Sequence, residues 1–345
     1  MGQEVVLAQF GSNTNATTFG YRNKIINGTM AIDQRNSGSA LTSLTTYNWA
    51  VDRFRYTFGI SSGATLQRVV DAPLGSGFIY SNKLTCTSPQ TPASGQYMNF
   101  GQPIEGQNIS DLMFGTPYAK TVTLSFWVKC SLTGTFGGNI ANYGGSPTRS
   151  YVFQYTISVA NAWTFITVTI PGDTFSGTWP TDTSMGMFVL WSLGDGSSYQ
   201  GTANAWQSAD VRFASGNVLP MTSYGATWQI TGVQLEPGSV YTGFDFRPYG
   251  IENFLCQRYY FQGQSPSTYF YANTNSVGAT PITVPLPAEM RIAPTVNYSF
   301  VSLDIAADGG VNGINKNAIV FRLYSTNGGY PYAYGRWTFT ANAEL

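Results

Sequence analysis

No histidine occurs among the 345 residues of this sequence. That absence removes Ser-His and Cys-His nucleophile pairs, histidine metal sites and the commonest general base together. Charge is scarce as well, at 10% of residues against roughly 25% in ordinary soluble domains. The 17 basic and 17 acidic residues cancel, and the basic ones are scattered singly, so there is no electropositive footprint for nucleic acid. Cysteine is limited to Cys86, Cys130 and Cys256. An odd number with no CxxC pair supports neither a disulfide framework nor a cysteine zinc site. The longest apolar runs, residues 121–130 and 185–193, fall short of the roughly 20 residues a membrane span needs. The first ten residues lack the basic start and long apolar centre of a secretory signal. A chain made in a cytoplasm is expected, without membrane insertion, cofactor or metal.

Glycine and aromatic residues are abundant. There are 38 glycines, with 22 Tyr, 22 Phe and 8 Trp making 15% of the chain aromatic, more rings than one core requires. Tyr and Trp suit contact surfaces because one end is apolar and the other hydrogen-bonds. Residues 121–130, 164–170 and 228–235 alternate apolar and polar side chains, and Gly/Pro/Asp clusters punctuate them, which predicts an all-β chain of sandwich or jelly-roll type. Cys130 falls on an apolar strand face and reads as a small buried hydrophobe. The exception to strand pattern is residues 249–256, where Ile251, Phe254 and Leu255 follow Pro248 at helical spacing. The predicted organisation is an N-terminal docking arm over 1–22, a jelly-roll domain over 23–248, a helical hinge over 249–256 and a smaller C-terminal β-sandwich over 257–345.

Three stretches resemble bacteriophage tail-fibre and related virion appendage proteins. They are Asn23-Lys-Ile-Ile-Asn-Gly-Thr-Met-Ala-Ile-Asp-Gln-Arg-Asn-Ser-Gly38 followed by Asp52-Arg-Phe54, then Gly232-Val-Gln-Leu-Glu-Pro-Gly238, and Cys256-Gln-Arg-Tyr-Tyr260. The strand residues 125–129 and Trp163 fit later parts of the same pattern, and residues 287–296 are similar to a strand and turn of the C-terminal domains that follow. Gly243 departs from the family, which more often has Pro before the residue equivalent to Phe244. The resemblance covers about residues 23–260. It implies a jelly roll like those of carbohydrate-binding modules, in a homotrimeric virion appendage such as a tail fibre. The arm would dock to tail or baseplate proteins, and the C-terminal domain would serve as a tip for attachment to a host surface polysaccharide. Capsid or baseplate decoration, binding other virion proteins, is the alternative.

Candidate binding residues are aromatic. Tyr330, Tyr332 and Tyr334 alternate with Pro and Ala in a Gly-closed loop, and Tyr269 and Tyr271 lie in a separate stretch of the C-terminal segment; tyrosine among small residues provides large contact area with few rotatable bonds. These rings either meet a glycan receptor or pack around a trimer axis. Tyr143, Trp179, Tyr199 and Trp206 sit in predicted loops as second candidates. Gln34, Arg35, Asp52 and Arg53 read as ties of a loop to its sheet rather than as a binding cluster. Glu236 resembles a structural-ion position but has no second carboxylate near it in sequence, and residues 308–313 read as a hairpin turn rather than a calcium loop. Glycoside hydrolysis needs only two carboxylates, and Asp173, Asp182, Asp195 and Asp210 are available, yet turn chemistry accounts for Asp in loops. No catalytic residue is assigned and a non-enzymatic role is expected.

Overall fold

The computed structural model describes residues 22–60, 63–264, 268–271, 279–304, 307–325 and 332–345. The expected docking arm, apart from Arg22, lies outside them. The chain is nearly all β, built of antiparallel sheets. Two of these form the larger sandwich. One sheet has seven strands in the spatial order Tyr47–Val51, Phe54–Phe58, Met98–Glu105, Met185–Ser192, Gly134–Ala141, Ser150–Ile157 and Trp206–Gln207. The other has five: Gly63–Val69, Ser81–Ser88, Thr227–Pro237, Val122–Cys130 and Thr164–Ile170.

Alternation explains how they pack. Val122, Leu124, Phe126, Val128 and Cys130 are all fully buried, because successive side chains leave a strand on opposite faces and this set meets Phe100, Phe153 and Trp191 of the facing sheet in one core. Phe126 meets Trp191 edge to face at 5.3 Å. The seven-stranded sheet is unusual in that its outward residues Phe188 and Leu190 are buried too. The chain after Ser192 folds back across that outer face. Asn139 donates to the Val211 carbonyl at 2.7 Å, and Val152 packs with Val211 and Ala214. The crossing segment is itself stitched by a short parallel pairing of Gln200–Gly201 with Phe213–Ala214.

The motif residues occupy the seam between cores. Asn23 and Lys24 hydrogen-bond along Val233 and Leu235, and a Cβ on Gly28 would lie 2.1 Å from the Val233 carbonyl oxygen. Only glycine permits that approach. Gly232, at φ +62°, sits where the pairing register of its strand shifts, and the Phe78 ring fills the space its side chain would take. Glu236 is consumed by Gln234 Nε2 and by the backbone N–H and hydroxyl of Thr242, so it closes the turn after its strand.

A smaller pair of sheets follows. Tyr260–Gln264, Thr268–Tyr271 and Thr295–Asp304 all pair with Tyr332–Asn342, while Ala279–Pro285 and Ala307–Ile314 flank Ala318–Ser325. Trp337, Phe339, Ile319, Phe321 and Met290 form its core. Residues 308–313 are therefore strand, not hairpin turn. The helix Tyr249–Gln257 joins the two units. Its buried side chains are Glu252 and Cys256, whereas Ile251 and Phe254 are exposed, the reverse of what its apolar spacing suggests. Glu252 tolerates burial because the Asn27 N–H and Arg247 donate to it.

The joint is ionic and aromatic. Arg53 is 1% exposed; its guanidinium carbon lies 3.4 Å above the Tyr259 ring, and it pairs with Glu344 and donates to the Pro103 carbonyl at 2.7 Å. Arg35 bridges Asp52 and Glu344 over the Tyr260 ring, and Glu105 accepts from Arg258 and Tyr259. Gln34, Arg35, Asp52 and Arg53 are thus structural ties. Removing one partner of a buried ion pair leaves an uncompensated charge, at about 3–5 kcal/mol. Glu344→Ala should lower unfolding free energy by that order in urea titrations followed by tryptophan fluorescence. A loss under about 1 kcal/mol would contradict this account of the joint.

Candidate functional site

Two sequence-predicted rings meet on the outer face of the seven-stranded sheet. Tyr143 and Tyr199, joined by Tyr97, surround Arg212. The guanidinium carbon stands 3.8 Å from the Tyr199 ring centroid, 4.9 Å from Tyr97 and 5.8 Å from Tyr143. Tyr97 and Tyr199 meet edge to face at 5.8 Å. The crossing segment carries Tyr199 and Arg212, and the Arg212 N–H donates to the Tyr199 carbonyl at 2.7 Å, which fixes the stack. Tyr97 enters from the turn leading into Met98–Glu105. Tyr143 is placed by its hydroxyl, which accepts from Asn139 Nδ2 at 3.0 Å. All four side chains are half-buried, each presenting part of its surface to solvent.

Below them the floor is polar. Arg212 holds Asp210 through two hydrogen bonds of 3.1 and 2.8 Å and lies 3.7 Å from Asp195. Asp195 is 1% exposed and accepts from the Met98 N–H and Asn99 Nδ2. Asp195 Oδ2, Asn99 Oδ1 and Asn139 Oδ1 are buried without a hydrogen-bond partner among the described residues. Buried acceptors left unpaired are costly, and the Ser192 hydroxyl beside Asp195 is a side-chain donor within reach of this floor. Burial is the main force raising the Asp195 carboxyl from 3.8 to about 6, against the opposing pull of Arg212. For Tyr143, burial pushes the phenol well above its ordinary value, with Arg212 opposing.

The other candidates are placed elsewhere. Trp179 is 6% exposed and packs edge-on against Phe114 and Trp206, while Trp206 also contacts Tyr151 and donates to the Pro171 carbonyl. This cluster caps a buried ion pair, Arg149 with Asp173, to which Trp179 Nε1 donates at 3.3 Å. Asp173 is fully engaged, and Asp182 caps its own turn through Ser184. Tyr269 and Tyr271 lie in Thr268–Tyr271, directly opposite Tyr334 and Tyr332 in the register. Two groups distant in sequence are brought together, and Tyr332 and Tyr334 belong to a strand instead of a loop. Tyr330 lies outside the described residues. Sequence reasoning missed Tyr97, Asn99 and Arg212; the Asp-x-Arg spacing of Asp210 and Arg212 was the available signal.

No protein-family model matches the chain, and no curated protein matches it. Among solved structures it is similar to the enzymatically active domain of tailspike protein 4 of bacteriophage CBA120, with 15% identity, a TM-score of 0.34, and coverage of 63% of this chain and 22% of that one. A putative sugar-binding protein from Bacteroides thetaiotaomicron gives 12% identity and a TM-score of 0.36, covering 63% of this chain and all (100%) of that one. The family 11 carbohydrate-binding module of the Clostridium thermocellum cellulase Lic26A-Cel5E gives 12% identity and a TM-score of 0.30, with 60% and 99% covered.

Because Asp195 holds its proton more tightly in the fold than in the unfolded chain, its contribution to stability is greatest below 3.8 and is lost as pH rises through about 6. Asp52 shifts the same way, so the test is a difference. Between those pH limits, wild type should lose on the order of 2 kcal/mol relative to Asp195→Asn, measured by urea unfolding across the range. A pH-independent difference would contradict the raised carboxyl.

Proposed function

We propose that this chain is a non-catalytic glycan-binding subunit of a bacteriophage appendage, attaching the particle to a host surface polysaccharide. The observation that carries the binding reading is the gathering of Tyr97, Tyr143 and Tyr199 around Arg212 on the outer face of the seven-stranded sheet. Sugars have apolar C–H faces that stack on rings and hydroxyls that hydrogen-bond with the polar edge of such a cluster. Partly exposed tyrosines offer ring surface at small entropic cost, and the Tyr97 hydroxyl adds a polar tip. The appendage reading, with its homotrimer and virion location, is supported by the resemblance of the motifs alone.

One observation favours a second reading. Asp195, raised to about 6, and Asp210 lie on one guanidinium, a pair of carboxylates such as glycoside hydrolysis employs. The binding reading is preferred because Arg212 ties up both and because Asp195, at 1% exposure, has no surface from which to reach a glycosidic oxygen.

The test is retention of purified protein on an array of bacterial surface polysaccharides. At least one glycan should be retained, and Tyr199→Ala and Tyr97→Ala should each weaken retention about tenfold with circular dichroism unchanged. Retention indifferent to both changes would sink the site. Release of reducing ends that disappears in Asp210→Asn would establish the cleaving alternative.

A further inference from the structure

A second concavity lies away from Arg212. Its volume is about 520 Å³, within the range of small-ligand pockets, and its apolar wall comes from two loops. Phe78 precedes the strand Ser81–Ser88; Phe244 and Phe246 follow Thr227–Pro237. Phe78 stacks on Phe246 at 5.3 Å with 30° between planes, and Phe244 meets Phe78 and Phe246 edge to face at 4.9 and 4.8 Å. The three rings brace one another, and Gly232 gives Phe78 its seat. Despite this mutual packing Phe246 remains 53% exposed and neighbouring Tyr249, at the start of the helix, 67% exposed.

The polar lining separates into spent and unspent groups. Arg247 donates to the Ile25 carbonyl and Glu252, and Asp245 accepts from the Arg22 and Asn23 N–H groups. By contrast, the hydroxyls of Tyr80 and Tyr249 make no hydrogen bond among the described residues. Arg68 spends Nη1 on the Ala31 carbonyl and stands over the Tyr80 ring at 4.5 Å, leaving Nη2 unused. Its charge is already balanced by Asp33, 3.9 Å away. A ligand suited to this cavity has an apolar face, several hydroxyls and no net charge.

We propose that this cavity is a second saccharide site, where a neutral pyranose ring sets its C–H face against the phenylalanine wall and its hydroxyls toward Tyr80, Tyr249 and Arg68. A lipid tail would leave those three groups unpaired, and an acidic ligand would meet cations already neutralised. The site is separate from Arg212 and stands whether or not that cluster binds glycan.

The experiment is saturation-transfer difference NMR on the full chain with three probes: methyl glycosides of glucose, galactose and N-acetylglucosamine. The fluorescent apolar probe anilinonaphthalene sulfonate is run in parallel. At least one glycoside should receive saturation at its ring protons, also in a Tyr199→Ala background that disables the Arg212 cluster, and in that background Phe246→Ala and Tyr249→Ala should each cut the signal at least about fivefold while Tyr224→Ala, at an exposed ring outside both sites, leaves it unchanged; both cavity positions are exposed, so folding is expected to survive. Absence of transfer to all three glycosides overturns the proposal. So does a signal lost only in Tyr199→Ala, which would leave the Arg212 reading standing alone. Binding of the apolar probe alone, abolished by Phe246→Ala, would make the cavity a lipid-type pocket instead.

Discussion

Arg53 is the constraint on which the two halves of the molecule depend. It occupies the two-residue connection between Tyr47–Val51 and Phe54–Phe58 at φ +71°, a region that non-glycine residues rarely enter and that costs of order 1 kcal/mol or more unless the surroundings enforce it. Here they do. The turn aims the guanidinium out of the first core, where Tyr259 covers its face and Glu344, next to the last residue, neutralises it. A charge this deeply buried is tolerable only with a close partner and further hydrogen bonds. Together these contacts bring the chain's terminus, the helix exit and the first hairpin to one place.

The motifs that resemble phage appendage proteins belong mainly to this seam. Gly28 lies against Val233, Asn23 along the same strand, and Arg35 and Arg53 against Tyr260 and Tyr259. They record how a sandwich is joined to its C-terminal neighbour. The proposed ligand contacts come from residues on the crossing segment and on the loops around Phe78 and Phe246. These are places where side chains can change without disturbing either core.

Fold class was legible in the sequence because one face of each strand is buried, and alternation such as that from Val122 to Cys130 reports it directly. Patterns that depend on what lies opposite were not. The helix Tyr249–Gln257 turns Ile251 and Phe254 outward because its neighbours are a backbone N–H and Arg247, which suit Glu252. The glycine-rich stretch around Gly310 reads locally as a turn but runs as strand, since it pairs antiparallel with Ala318–Ser325. The Arg212 cluster was half visible. Tyr143 and Tyr199 carry the right chemistry, but nothing local shows that the segment after Ser192 crosses back to set Tyr199 and Arg212 over Asn99 and Asn139.

The proposed sites are shallow, and that determines how they can serve attachment. A partly buried ring has already lost much of its surface to its neighbours, so little apolar area is left to bury against one sugar. A single shallow site of this kind binds one sugar too weakly to hold a particle. Affinity must then come from several sites engaging one polymer, and the gain depends on their separation being fixed, since every degree of freedom between linked sites lowers effective concentration. Within one chain both sites are built on the same sandwich, so their separation is set by its sheets. Arg53, Tyr259 and Glu344 hold that sandwich to the C-terminal sheets, so the ionic joint fixes the body on which both proposed sites are carried, although it lines neither.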